Sequence, residues 1–588
     1  MRSVKSGGVA LLASVALVAG AACAAEVKTP IITMRLACSE DHLGKVIETN
    51  LRYPGSCDEY WVGYQSPYFS ESRVSRDLAR MDRFVQRSEA AGIRGGTQQG
   101  VTLGHGSPLI GGHANLKPED KPSIPADAYA VGRDGKPLGD YCARSPFVLE
   151  TEERYVERVC REGKPVSLWL DDDLRIGIWK PDACFCDRCI AAFNAETGRS
   201  VTREELVGRI FGGDGVDAIR GEWFAFNARS LAGFAAAARR GADKAKPDVF
   251  LALQTCSSAH FYSGLDRRPA LWELSGHGKH PTGIRCGSGY YTEILSPRDL
   301  VRRLQHVTRE TERCRSYGDW FATATYENDT YTHQVLNKTW EASLKEDALA
   351  LAAGCDAVTM YWFDSSREEP MEYLDQFTAG CAAWRPYFER LSAVSRRTHM
   401  GGVARRVPKG FENSLPGSLR RPYDPAARSL AINYSREHPC DLKLALYGIP
   451  VTVEEAKPQA FYEPSDVWSG KGHQNNPTTA ELEAMRDKFD ERSGGTMPVR
   501  LAKTHPLVVY PRVAPDGGLV AATFFNCTLG RASKVAVRLR RPAGSRFTWM
   551  SGAAEPVELK SEPGSLPGER VVVLPDVPGF DLGTVFVD

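Results

Sequence analysis

A run of carboxylates and a cluster of cysteines lie close together in the first half of this 588-residue chain. An apolar run at residues 166–170, typical of a β-strand, ends in the three aspartates 171–173. The carboxyl end of a strand is where α/β barrel enzymes keep their acid and base groups. A C-x-C-x-x-C motif follows at residues 184–189 and has the spacing of metal ligands or redox groups. The two motifs together predict acid–base chemistry beside a metal or redox centre.

A second carboxylate, Glu327, ends another strand-like run at residues 321–327. Cleavage of a glycosidic bond normally needs two carboxyl groups, one to protonate the leaving oxygen and one to attack or stabilise the anomeric carbon. We therefore expect Glu327 to face Asp172 or Asp173 with their carboxyl oxygens about 5–6 Å apart, as retention of configuration requires. The alternative is that two of the three aspartates pair with Arg175 or cap a helix.

The cysteine motif supplies three ligands, whereas tetrahedral zinc takes four. Cys142, upstream in the loop before the aspartates, is the first candidate for the fourth ligand, and Cys160 is the second. Four thiolates leave no open position for water, so such a zinc would be structural. A disulfide or a reactive thiol pair is the alternative interpretation.

Short apolar runs alternate with helical stretches over residues 25–397, the pattern of a parallel sheet with crossover helices. The fold class that this predicts is a (β/α)8 TIM barrel followed by a small α/β region and a C-terminal β-sandwich. We place the small region at 398–503 and the sandwich at 504–588. Seven barrel strands are predicted, and the eighth is expected within 128–150. The seven fall at residues 31–38, 93–96, 167–170, 249–255, 283–287, 320–326 and 357–362.

The N-terminus has the features of an export signal. Arg2 and Lys5 precede an apolar run, and the small residues around Cys23 form a cleavage site, so residues 1–24 are predicted to be removed. The mature protein is then periplasmic or secreted, or is lipid-anchored through Cys23. No later run is long enough for an integral membrane segment.

The overall charge is nearly balanced, with 74 basic and 73 acidic side chains. No basic stripe is present, which excludes a typical nucleic-acid partner and fits a neutral substrate. No phosphate-binding loop or organic cofactor motif is found. The sequence does not decide between a monomer and a homo-oligomer.

Residues 31–387 resemble the catalytic barrel of family 42 glycoside hydrolases, the β-galactosidase group of clan A. The family carries a C-x-C-x-x-C cluster shortly after strand four, and an upstream cysteine completes a structural zinc site. The resemblance assigns that site to four cysteines: Cys142, Cys184, Cys186 and Cys189.

The same resemblance implies that the Asn-Glu pair of strand four falls on Asp172 and Asp173, and that Glu327 is the nucleophile. Asp173 is therefore the first candidate for the acid, and Asp172 is the second. Two departures stand out. Aspartates replace the Asn-Glu pair, so the identity of the acid is open, and the middle region is much shorter than a trimerisation domain. The resemblance therefore implies a distant relative, and β-galactosidase specificity does not carry over.

Further polar and aromatic side chains follow the predicted strands, where a sugar cleft would need them. Taken singly, each such residue is more often part of the core or of the barrel wall than a sugar ligand. The substrate-binding candidates are Asp171, Arg35, His260, Tyr290, Tyr291, Trp362 and Asp364.

The sequence favours a retaining glycosidase that acts on a neutral glycan. One alternative is a barrel without catalysis that only binds carbohydrate, because the glutamate of strand four is missing. Another is a metal-dependent hydrolase in which residues 171–173 bind a hard cation.

Overall fold

The computed structural model describes residues 29–36, 40–104, 117–120, 123–176, 183–212, 216–256, 267–287, 289–330, 335–362, 369–406, 439–467, 478–503 and 505–588. Eight parallel strands form a closed barrel: β1 Ile32–Leu36, β2 Glu59–Gln65, β3 Arg94–Gln99, β4 Ser167–Leu170, β5 Phe250–Cys256, β6 Thr282–Gly287, β7 Phe321–Asp329 and β8 Ala357–Tyr361. Each strand pairs with its neighbours in chain order, and β1 pairs with β8. The predicted barrel is confirmed.

Helices surround the barrel and connect its strands. They are α1 Glu40–Arg52, α2 Glu71–Ala90, α3 Pro146–Arg158, α4 Asp187–Thr197, α5 Arg203–Phe211, α6 Ala218–Ala245, α7 Arg268–Leu274, α8 Pro297–Arg315, α9 Trp340–Ala353 and α10 Met371–Arg397. Local sequence sets several of their ends. For example, α5 begins with a capping box in which Thr202 and Glu205 satisfy each other's backbone N–H groups.

The strand expected within 128–150 is instead β2, at Glu59–Gln65. The expected region forms a small antiparallel hairpin of Tyr129–Val131 and Pro137–Tyr141. β2 is hard to recognise as a barrel strand in the sequence because its first residue, Glu59, is a carboxylate that is buried inside the barrel. The indole N–H of Trp61 donates to it at 2.7 Å, and Arg94 pairs with it at 3.1 Å. These partners offset the cost of burying the charge.

Alternation along each strand decides which side chains enter the barrel. On β7, Tyr326 and Asn328 point outward, where the Tyr326 hydroxyl donates to Glu346 and the Asn328 amide donates to the carbonyl of Ser343 on α9. The neighbouring positions Glu327 and Asp329 therefore point inward, at the carboxyl end of the strand. Deeper inside, Trp61 packs on Trp169 with ring centroids 4.6 Å apart, so this layer of the barrel is filled by side chains.

After α10 the chain forms a small α/β region and two antiparallel sheets. A parallel sheet of Val403–Arg405, Val451–Thr452 and Ala460–Tyr462 packs with three helices, α11 Pro439–Leu446, α12 Pro464–Val467 and α13 Thr479–Arg492. One antiparallel sheet contains His399–Met400, Leu507–Val513, Leu519–Asn526, Asp581–Val587, Phe547–Met550 and Val557–Leu559. The other contains Val499–Leu501, Ala536–Leu539, Arg570–Val573 and Ser561–Pro563. Two strands that precede residue 504, His399–Met400 and Val499–Leu501, thus belong to the sheets of the sandwich.

Within the residues that the structure describes, no helix has the length and apolar character to cross a membrane. The predicted signal segment 1–24, with Cys23, lies outside the described residues.

Candidate active site

Glu327 is the centre of a cluster of charges at the mouth of the barrel. Its carboxylate accepts a hydrogen bond from Arg285 on β6, and Arg35 on β1 lies 3.7 Å away. Burial raises the pKa of Glu327 to about 7; Arg285 and Arg35 oppose this rise, and the charges of Asp329 and Asp172 add to it. The side chain is only 10% exposed. Glu327 is therefore a shielded carboxyl group that is held between two guanidinium groups.

Arg35 is fixed as well as buried. Its guanidinium lies over the ring of Tyr361 on β8, 4.4 Å from the centroid. Burial lowers the pKa of Arg35, but the carboxylates of Asp329, Asp171 and Glu327 outweigh burial and raise it overall. Arg35 thus stays a cation, and its stacked position aims it at Glu327.

A glycine on β6 leaves room for the carboxyl group of Glu327. A Cβ atom at Gly287 would lie 2.6 Å from Oε2 of Glu327 and 2.9 Å from the carbonyl oxygen of Thr255. Any side chain at this position would push Glu327 away from its arginines.

The three aspartates after β4 point in different directions. Asp171 is buried and accepts a hydrogen bond of 2.7 Å from the Gln98 amide on β3. Asp173 is fully buried and accepts hydrogen bonds from the backbone N–H groups of Thr102 and Gly104, at 2.9 Å each, and from the Thr102 hydroxyl. Its oxygens therefore hold the loop that follows β3.

Asp172 is the one aspartate of the run that is not buried. Its side chain is 18% exposed, and its Oδ2 lies 3.8 Å from Nη1 of Arg175. Its charge contributes to the raised pKa values of both Glu327 and Tyr291. Asp172, after β4, and Glu327, on β7, thus belong to one electrostatic site, although two other strands of the barrel separate β4 from β7.

The aromatic candidates fall into two groups. Tyr291 is 36% exposed, and its pKa is raised above the ordinary value, first by burial of its hydroxyl and then by the charges of Glu327 and Asp329. Tyr290 is buried and donates to the carbonyl of Leu295 at 3.0 Å. Only Tyr291 of this pair faces the cleft.

Trp362 is 2% exposed and lies behind the cleft wall. Its ring stacks on Phe377 of α10 at 4.7 Å, and its N–H donates to the carbonyl of Lys338 at 2.9 Å. These contacts join the end of β8 to α10 and to the loop that contains Lys338. His260 and Asp364 lie outside the described residues.

Several cleft residues were missed by the sequence analysis. Arg285, Asp329, Gln98 and Tyr361 all occupy inward positions near the ends of their strands. One signal was available for Arg285, which is a lone charge inside an otherwise uncharged strand. Alternation from Glu327 would also have pointed to Asp329.

The four predicted cysteines come together beside the barrel. The sulfur of Cys142 lies 3.8 Å from that of Cys186 and 3.6 Å from that of Cys189, and all four sulfurs lie within 4.8 Å of one another. Zn–S bonds of about 2.3 Å in a tetrahedron put the sulfurs about 3.8 Å apart. A disulfide needs about 2.05 Å, so these residues fit a metal and not a bridge. Cys160 lies outside the cluster, in the helical turn Val159–Gly163.

Among the described residues, this cluster is the only group of three or more His, Cys, Asp or Glu side chains whose ligand atoms converge in this way. The aspartates 171–173 do not form one, because Asp171 and Asp173 turn to different partners on β3 and its following loop.

No protein-family model and no curated protein matches the chain. Its fold, however, is similar to that of solved glycoside hydrolases. A β-galactosidase from Rahnella sp. R3 superimposes with a TM-score of 0.57 at 11% identity, over 95% of this chain and 98% of that one. An α-L-fucosidase, isoenzyme 2 from Paenibacillus thiaminolyticus, gives 0.53 at 11% identity, over 95% and 100% of the two chains.

A β-galactosidase from Halorubrum lacusprofundi gives a TM-score of 0.53 at 12% identity, over 95% of this chain and 98% of that one. At such identities the likeness establishes the fold alone. The chain therefore shares the fold of these glycoside hydrolases, in agreement with the fold class that its sequence predicted.

Proposed function

We propose that the protein is a glycoside hydrolase that cleaves a neutral glycan with retention of configuration. The observation that carries the proposal is the position of Glu327, which is clamped by Arg285 and Arg35 at the barrel mouth and shares its electrostatic site with Asp172. The resemblance to family 42 implies a carboxyl pair at the ends of strands four and seven, where Asp172 and Glu327 lie, and glycosidic cleavage needs two such groups. Turnover of aryl glycosides tests the proposal.

In the proposed first step, a carboxylate oxygen of Glu327 attacks the anomeric carbon while the bond to the leaving oxygen breaks. Asp172 gives its proton to that oxygen, so an alcohol departs and a glycosyl ester forms on Glu327. Asp172, now a carboxylate, then takes a proton from water, whose oxygen displaces Glu327. The two arginines favour the charged form of Glu327 and fix its direction.

Asp172 suits the acid role better than Asp173 on geometric grounds. Asp173 is 0% exposed, and its oxygens accept backbone hydrogen bonds from Thr102 and Gly104. A proton donor has to reach the leaving oxygen, so it needs a face in the cleft. Asp172 is partly exposed, at 18% of its side chain, and lies 3.8 Å from Arg175.

The charge pairing at the mouth supports a neutral sugar. Glu327 pairs with Arg285 and Arg35, and Asp172 lies beside Arg175. A charged sugar would have to displace one of these partners and leave the other charge buried, which is costly. Hydroxyl groups can instead bond to the paired groups without breaking them.

The ionisation of Glu327 should govern the pH dependence. Attack requires the carboxylate of Glu327, so with activated aryl glycosides, whose leaving group needs no proton from Asp172, kcat/KM should rise with pH through an acid limb near pH 7, the pKa of Glu327 in the free protein. Arg285 lowers that pKa, so Arg285→Met should move the limb to higher pH. Arg35→Met should move it less, because Arg35 is 3.7 Å away. An acid limb at the ordinary glutamate value of 4.5 that Arg285→Met does not move would contradict the assignment.

We also propose that the four cysteines bind a structural zinc ion. The ion would tie the hairpin before α3 to the loop before α4, since Cys142 follows Pro137–Tyr141 and Cys189 lies in the first turn of α4. When bound, it would supply folding stability and no open coordination position.

Metal analysis of purified protein should give roughly one zinc per chain, and Cys142→Ser should lose it and lower the melting temperature. Cys160→Ser is the matched control, because Cys160 is also buried but lies outside the cluster. Zinc retained in Cys142→Ser, or absent from wild-type protein, would refute the site.

Simple measurements distinguish two other functions from the proposed glycosidase activity. A hydrolase that uses residues 171–173 to hold a hard cation would lose turnover to a chelator, whereas the proposed mechanism uses no such ion. A barrel that only binds carbohydrate would bind sugars but release no aglycone from any glycoside.

We further propose that residues 1–24 direct export of the protein. The charged start and apolar run of this segment support the proposal. N-terminal sequencing of the mature protein tests it: a start after residue 24 agrees, and retained Met1 does not.

A further inference from the structure

Lys338 is a lysine with no exposed side-chain surface, placed just behind the proposed active site. Its ammonium group donates to the carbonyl oxygen of Tyr290 at 2.9 Å, to that of Asp329 at 3.0 Å and to Oε2 of Glu346 at 2.7 Å. A lysine has three N–H donors, so each of them is used. The charge is thus buried, paired and fully hydrogen-bonded.

These partners place Lys338 between the loops at the ends of three barrel strands. Tyr290 follows β6, and Asp329 ends β7. The backbone carbonyl of Lys338 accepts the indole N–H of Trp362, directly after β8, at 2.9 Å. One residue therefore joins the ends of β6, β7 and β8.

The residue before Lys338 strengthens the same junction. The carbonyl of Asn337 accepts the hydroxyl of Thr292 at 2.9 Å and the backbone N–H of Glu293 at 3.1 Å. The loop after β6 is thereby fixed on both sides of Tyr291, the tyrosine that faces the cleft.

Replacing a buried ion pair by apolar residues of similar volume often leaves a protein equally stable or makes it more stable. The hydrogen bonds of Lys338, by contrast, are directional, and two of them end on backbone carbonyls. Those carbonyls belong to Asp329 itself and to the neighbour of Tyr291. The charge of Asp329 raises the pKa of Glu327, and the charge of Glu327 raises the pKa of Tyr291.

We propose that Lys338 is a positioning residue that sets the places of Tyr291 and Asp329 in the cleft by holding the carbonyls of Tyr290 and Asp329. It does not touch the substrate. The catalytic part of this inference rests on the proposed function, whereas the positioning part does not.

The test uses the paired variant Lys338→Met/Glu346→Gln. Removing Lys338 alone would leave the charge of Glu346 buried without its partner, and a loss of folding would then mask any effect on the loops. In the paired variant the amide oxygen of the new glutamine can still accept the hydroxyl of Tyr326. The matched control is Arg512→Met/Glu312→Gln, which removes a buried pair of 2.8 Å between α8 and the sandwich, with both side chains 2% exposed.

The first readout is hydrogen exchange of the amides in residues 289–296, which needs no activity. We expect exchange there to be at least about tenfold faster in the Lys338→Met/Glu346→Gln variant and unchanged in the control. Unchanged exchange in both variants would overturn the inference, whatever the activity.

The second readout is a double-mutant cycle with Tyr291→Ala, measured as kcat/KM. If Lys338 acts through Tyr291, the combined loss should be smaller than the product of the separate losses, by about fivefold or more. Losses that simply multiply would overturn the link to Tyr291. Wild-type protein that turns over no glycoside would contradict the proposed function, while the exchange result would still decide the positioning role.

Discussion

Glu327→Gln should lower turnover of a glycoside by at least about a thousandfold, because an amide cannot attack the anomeric carbon. It should also abolish covalent labelling by a fluoro-sugar that traps the glycosyl ester. The two arginines stay in place, since Gln is nearly the same size as Glu, so substrate binding should change far less than kcat. Steady-state kinetics and mass spectrometry of the labelled protein measure both effects.

Glu152→Gln is the matched control for this variant. Glu152 on α3 is fully buried, and burial raises its pKa to about 8, with Gln99 opposing and Asp173 adding to the rise. It is therefore mostly neutral at pH 7, and the substitution should leave turnover near that of the wild type. Equal losses in the two variants would point to a general packing effect and against a nucleophile at residue 327.

Asp172→Asn should slow glycosides with poor leaving groups by about a hundredfold or more, while activated aryl glycosides lose much less. The reason is that a good leaving group departs without a proton. Azide should rescue the variant by replacing the base-activated water, and the product should be a glycosyl azide of retained configuration. Comparing rates across a series of phenol leaving groups, with and without azide, measures both effects.

Asp173→Asn is the variant to compare with Asp172→Asn in the same series of leaving groups. An amide has one acceptor oxygen where the carboxylate of Asp173 has two, so the loop held through Thr102 and Gly104 should loosen. We expect a lower melting temperature and a loss of rate that does not depend on the leaving group. Leaving-group dependence in Asp173→Asn, but not in Asp172→Asn, would reverse the assignment of the acid.

The sequence was a good guide to the barrel because alternation and strand length are local properties. Seven strands were predicted from short strand-like runs, but β2 was missed, although Tyr60 and its two neighbours form a short apolar run, because Glu59 places a carboxylate in the barrel interior. The partners that make Glu59 acceptable, Arg94 and Ser167, are distant in sequence. No local signal could have supplied them.

The direction of each side chain at the site was the harder problem. Three consecutive aspartates are equivalent in the sequence, and only the loop that reaches Asp173 from Thr102 separates its role from that of Asp172. Trp362 likewise follows a strand, as a sugar-binding tryptophan would, but its ring packs on Phe377. The cysteine cluster was easier to predict, because its spacing is itself the signal.

Hydrolysis of a panel of aryl glycosides by the purified mature protein is the direct test of whether the protein is a retaining glycosidase. The panel should cover the common neutral sugars in both anomeric forms, and wild-type protein should be measured beside Glu327→Gln. We expect the wild type to release the phenol from at least one member, with retention of configuration, and Glu327→Gln to release none. No release from any member by correctly folded wild-type protein, or equal release by the two proteins, would contradict the proposal.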